Sequence, residues 1–105
     1  MKKNKLKCIE AYIYAKTLNL ITNNTPINGQ SKSVVDTVNS ANLLSKNLLN
    51  KCEEKLKILN LYNNSFLVLK KELENVEIYK NASIINYSKI CEMIKDYDVH
   101  LKAVM

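Results

Sequence analysis

The stretch that decides the fold is residues 33–104, SVVDTVNSANLLSKNLLNKCEEKLKILNLYNNSFLVLKKELENVEIYKNASIINYSKICEMIKDYDVHLKAV, which contains neither Gly nor Pro. Alternating strides of four and three from Val34 pass through Val38, Ala41, Ser45, Leu48, Cys52, Lys55, Leu59, Tyr62, Phe66, Leu69, Leu73, Val76, Lys80, Ser83, Tyr87, Ile90, Ile94, Tyr97, Leu101 and Val104. Seventeen of these 21 positions are apolar, against about ten expected from a 47% apolar composition. A repeat of that period is the seam of packed helices. It predicts an all-α protein, a small antiparallel helical bundle of three long helices, or four, with a coiled-coil-like heptad seam. Ser45, Lys55, Lys80 and Ser83 are its polar gaps, where packing is expected to be loosest or a partner to enter.

Working outward, Ser33-Val34-Val35-Asp36 reads as a capped helix start, with the Ser hydroxyl accepting three residues on and the Asp reaching back. The helix is expected over 33–62. Its main stripe is Val34, Val38, Ala41, Leu48, Leu49, Cys52, Leu56 and Leu59. A second stripe of Leu43, Leu44, Ile58, Leu61 and Tyr62 suits a second neighbour. Asn63-Asn64-Ser65 is the expected turn, because these side chains compete with helical hydrogen bonds. A helix over 66–103 follows, with a break near 80–83 as an option. A hairpin is preferred to one continuous helix, which would run roughly 108 Å at 1.5 Å per residue. Phe66-Leu67-Val68-Leu69, apolar all round, is expected to be buried on every side. Glu53–Lys57, Lys70–Glu74 and Asp98–Lys102 have i,i+4 spacing for exposed ion pairs.

Upstream, residues 23–32 hold the only Pro and the only Gly, and Asn28-Gly29 is a strong turn dipeptide. A first helix over 4–22 precedes this loop. Leu6, Ile9, Ile13 and Leu20 share one side of it; Ala11, Ala15, Leu18 and Ile21 lie broadly opposite. A helix apolar on two sides is usually sandwiched between others. The 105 residues thus read as a single helical domain.

The net charge of +6 is uneven. Residues 1–32 carry six Lys against Glu10; residues 65–105 carry six of each sign. All 16 cationic side chains are Lys, and Asn is abundant at 15 residues, a pairing that points to an AT-rich genome such as that of a virus, phage, parasite or low-GC bacterium. Lys2, Lys3, Lys5, Lys7 and Lys16 form the candidate electrostatic contact, toward nucleic acid or anionic membrane. Without Arg or Trp, base readout and stacking platforms have few residues to use.

Nothing in the sequence suggests catalysis. There is one histidine, His100, with no local partner, and one Gly, too few for a phosphate-cradling loop. Cys8, Cys52 and Cys91 are odd in number and widely spaced, which speaks against a zinc set and for a reducing compartment. No catalytic, metal or cofactor residues are assigned. Glu10 and Lys16 interrupt the one apolar run that resembles a signal peptide, and no window reaches the length of a membrane span. A cytoplasmic protein is expected.

The expected function is therefore non-enzymatic: a helical interaction or adaptor protein, self-associating or modulating another protein. Its candidate interface is the seam at Leu48, Cys52, Leu59, Tyr62, Phe66, Leu69, Tyr87, Ile90, Ile94 and Tyr97. The alternative is an electrostatic, sequence-nonspecific binder of nucleic acid or anionic membrane through the Lys-rich N-terminus.

Overall fold

The computed structural model describes residues 2–76 and 85–105, with side chains from 5–76 and 86–105. Its described residues form four helices and no strand: α1 (Lys2–Asn24), α2 (Lys32–Ile58), α3 (Asn64–Glu74) and α4 (Ile85–Val104). At 1.5 Å per residue α2 spans ~40 Å, nearly the whole 45 Å long axis of the molecule. The fold is all-α.

The organising element is α1, which packs against α2, α4 and α3. Cys8, Ala11, Tyr12, Ala15, Leu18 and Ile21 are fully buried along it, so the sandwich inferred from its two apolar sides is present. Small side chains at 8, 11 and 15 let α2 approach closely. Of the opposite set, Ile9, Ile13 and Leu20 are half-buried, while Leu6 stands exposed. The long seam supplies the other walls. Every described seam position from Val34 to Val104 is buried or half-buried within the single chain.

The core divides into two clusters. One gathers Cys8, Ala11, Tyr12 and Ala15 of α1 with Leu48, Cys52 and Leu56 of α2, Phe66 of α3, and Tyr97 and Val104 of α4. The other joins Leu18, Ile21, Val38, Ala41, Ile90 and Met93. Where they meet, a polar layer crosses from α1 to α2. Asn19 Nδ2 donates to Ser45 Oγ at 3.1 Å, and Ser45 Oγ donates to the Asn42 carbonyl at 2.7 Å. Asn42 Nδ2 donates to Thr22 Oγ1 at 2.8 Å and to Asn23 Oδ1 at 2.7 Å. Ser45, expected as a loose gap, is fully buried and hydrogen-bonded. A satisfied polar layer sets helix register, because any slip would strand its members without partners.

The connections depart from the sequence reading in specific ways. The first loop is 25–31, where Gln30 N–H donates to Ile27 O and Gly29 takes φ +79°, as the third position of a type II turn requires. The α2 cap is Ser31, not Ser33; its hydroxyl accepts from Val34 N–H at 3.3 Å. Asp36, displaced by that shift, lies outside the first turn and is exposed. At the other end α2 stops at Ile58 instead of 62. Asn60 adopts φ +58°, Asn60 N–H donates to Lys57 O, and Leu61 N–H reaches Leu56 O at 2.8 Å. This is a Schellman ending, with Asn at the left-handed position and apolar Leu61 and Leu56 at the flanking sites. Asn63 then caps α3, accepting from Phe66 N–H at 3.2 Å. The expected turn at 63–65 is therefore a turn at 59–63, because Asn60 ends one helix and Asn63 begins the next.

The single last helix is replaced by α3 and α4. Helix α3 ends at Glu74 with Asn75 as its cap; the break expected near 80–83, with Lys80 and Ser83, lies outside the described residues. The apolar run at 66–69 is only partly covered: Phe66 is buried, but Leu67 is 40% and Val68 56% exposed. The second α2 stripe is likewise split, with Leu44, Leu61 and Tyr62 half-buried while Leu43 and Ile58 are exposed. Two of the expected i,i+4 pairs recombine between helices. Glu53 pairs with Lys70 of α3 at 3.1 Å, and Glu74 pairs with Lys16 of α1 at 3.2 Å. Lys57 instead lies over the Tyr62 ring, 5.0 Å from its centroid. These cross-links tie α3, whose backbone packs on α1 alone among the described helices, to both neighbours.

Candidate functional site

Helix α1 runs antiparallel to both α2 and α4. Cys8 lies against Cys52, its thiol 3.8 Å from the Cys52 carbonyl. Farther along, the Tyr14 ring stacks on His100 with centroids 3.9 Å apart. The start of α1 therefore meets the ends of α2 and α4, and the lysines of three helices meet there. Lys7, Lys55 and Lys102 line one concavity of about 190 Å³ with Ala103, Val104 and Met105. On one flank a hollow of about 200 Å³ adds Lys51, Glu54 and Ile58. On the other a hollow of about 360 Å³ adds Glu10, Val99 and His100. The three hollows share walls and form a cationic belt around the last turn of α4.

The segments 2–10, 51–58 and 98–104 carry eight lysines against four carboxylates, and one of those four, Glu53, is held by Lys70. Lys55, Lys57 and Lys102 sit in the last turns of α2 and α4, where cations favour the helix dipole. The lysines of α1 have no such reason. That helix has no acidic residue in its first turn, so exposed Lys5 stands near its positive end with no carboxylate of that turn to offset it.

The five lysines singled out from sequence divide accordingly. Lys5 and Lys7 are exposed at this end; Lys2 and Lys3 belong to the same turns of α1, though their side chains fall outside the description. Lys16 lies elsewhere: it is ~13 Å farther along the helix than Lys7 and is engaged by Glu74. Sequence reasoning missed Lys51, Lys55 and Lys102. They stand 44 to 95 positions from Lys7 in the chain, and only antiparallel packing brings them beside it. Of the seam residues, Leu48, Cys52, Phe66, Ile90 and Tyr97 are buried in the core; Leu59, Tyr62, Leu69, Tyr87 and Ile94 are half-buried.

The remaining reactive groups sit behind this surface. Burial pushes the Cys52 thiol up to about 12, with Cys8 and Glu53 adding to the shift. Burial also raises the Cys8 thiol, partly offset by Lys55. Both thiols are thus held in the unreactive protonated form. His100 is lowered by burial, against the opposing pull of Asp96 and Glu10, so it is mainly neutral at pH 7. The hydroxyls of Tyr12 and Tyr14 find no hydrogen-bond partner among the described residues, and burial raises both. Among the described residues no three His, Cys, Asp or Glu side chains gather as a metal set, and no helix is long and apolar enough to cross a membrane.

Comparison with protein-family models, with curated proteins and with solved structures gave no match. The class the fold defines is an all-α protein.

Proposed function

We propose that this chain is a non-enzymatic binding protein that holds a polyanionic partner electrostatically at the lysine-lined end of its bundle. One observation carries the reading: lysines from α1, α2 and α4 converge on shared hollows there, beside a helix start that has no acidic residue to balance it. Lysines acting as point charges on flexible stems hold phosphate or sulfate groups without demanding a fixed geometry. The binding is therefore expected to be strong at low salt and indifferent to sequence. Affinity for heparin, single-stranded DNA and anionic vesicles should fall steeply with salt. Reversing charge at Lys7→Glu, Lys55→Glu and Lys102→Glu together should weaken it at least tenfold, roughly 1.4 kcal/mol or more. Titrations across a salt series check this. Failure to bind any of these polyanions at low salt, or unchanged binding by the reversed variant, rejects the proposal.

A second reading, self-association or adaptor contact through helix faces, is favoured by a different observation. Leu67 and Val68 stand exposed on α3, beside a hollow of about 490 Å³ that they line with Asn64, Lys70, Lys71 and Glu74. A second copy of the chain is the occupant tested most directly. Light scattering should then show a mass that grows with concentration, and Leu67→Ser with Val68→Ser should return it to the monomer. A monomer mass at every micromolar concentration rules out self-association.

A further inference from the structure

Resting on the polyanion reading above, we infer that the partner is an anionic lipid bilayer, met end-on by the start of α1 and the ends of α2 and α4. The reason lies in what stands among the lysines. Leu6 is 60% exposed and Ile58 74% exposed. Both sit at the lysine-lined end: Leu6 between Lys5 and Lys7, and Ile58 beside Lys51 and Lys55 in the hollow that α4 completes. Lysines and exposed aliphatic side chains at one end of the bundle match the headgroup layer, where phosphates meet lysines and the acyl boundary takes up apolar groups. Lysine stems can lie along that boundary with their ammonium groups still in water.

The same surface fits nucleic acid poorly. Single strands are held by stacking bases on aromatic rings, and among the described residues every aromatic ring is buried or half-buried. The chain has no Arg for base edges. Leu6 and Ile58 would gain nothing against a sugar–phosphate backbone, whereas a bilayer removes them from water. The contact is interfacial, because no described helix can span.

Flotation with vesicles of phosphatidylcholine alone, and of phosphatidylcholine mixed with phosphatidylserine, tests this. The protein is expected to float only with the anionic vesicles, less so as salt rises. The pair Leu6→Ser and Ile58→Ser removes exposed side chains that contribute nothing to the core, and circular dichroism verifies that the helices persist. That variant should lose about tenfold in vesicle partitioning while binding heparin as the parent does. Undiminished flotation of the serine variant overturns the inference. So does binding of heparin or DNA with no flotation, an outcome that leaves the polyanion reading standing. Failure to bind any polyanion removes both.

Discussion

Replacing Leu48 with alanine is expected to destabilise the protein by about 3–4 kcal/mol, in the upper part of the range for buried leucines. Leu48 is fully buried in the larger core cluster, with Ala11 and Ala15 of α1 equally inaccessible. Two features prevent the cavity from closing. Ala11 and Ala15 of α1, in the same cluster, are small and have no rotamers with which to fill it. About one turn away, Asn19 and Ser45 hold the two helices in register through a buried hydrogen bond, which resists the inward shift that relaxation requires. For a domain of this size the loss corresponds to a fall in Tm of roughly 12–30 °C. Urea or thermal unfolding followed by circular dichroism measures it. A change below about 1 kcal/mol would mean that α1 and α2 do not meet at Leu48 as described.

Phe66→Ala is expected to have a comparable effect of about 3 kcal/mol, but a local one. Phe66 is the only buried side chain of α3. It meets the Tyr12 ring edge-on at 4.7 Å and the Tyr62 ring at 5.1 Å. Half-buried Leu73 of α3 packs against the same core, and among the described residues the Lys70–Glu53 and Lys16–Glu74 pairs add polar ties. Pairs this accessible to solvent contribute at most about 1 kcal/mol each, too little to hold an 11-residue helix that would be marginal alone. Amide hydrogen exchange should therefore rise about 100-fold or more across residues 67–74, while the interior of α1, α2 and α4 keeps most of its protection. Equal loss of protection in all four helices would show instead that α3 belongs to a single cooperative unit.

Both predictions depend on a packing arrangement that is only half legible in the sequence. The period of the seam announces helices and names the residues that turn inward, because burial on one face of a helix is imposed by local geometry and repeats along the chain. The same holds for α1, whose two apolar sides implied a helix with neighbours on both. The turns were harder. Asn60, Asn63, Asn64 and the serines at 31 and 33 are each competent to cap or end a helix. The choice among them rests on which one lets Leu61, Leu56 and Phe66 reach the core. The ion pairs differ from the local spacing for a related reason: i,i+4 spacing permits Glu53–Lys57, but α3 brings Lys70 within 3.1 Å of Glu53.

Residue type and local period alone imply the helical class, the inward-turned residues of the seam and the excess of lysine near the N-terminus. Packing adds that the described seam positions are covered within one chain, that Ser45 belongs to a hydrogen-bonded polar layer, and that Lys51, Lys55 and Lys102 join Lys5 and Lys7 at the end that carries exposed Leu6 and Ile58. Antiparallel packing places the first residues of α1 beside the last residues of α2 and α4. The proposed site is made of groups far apart in the chain, so it has no local signature.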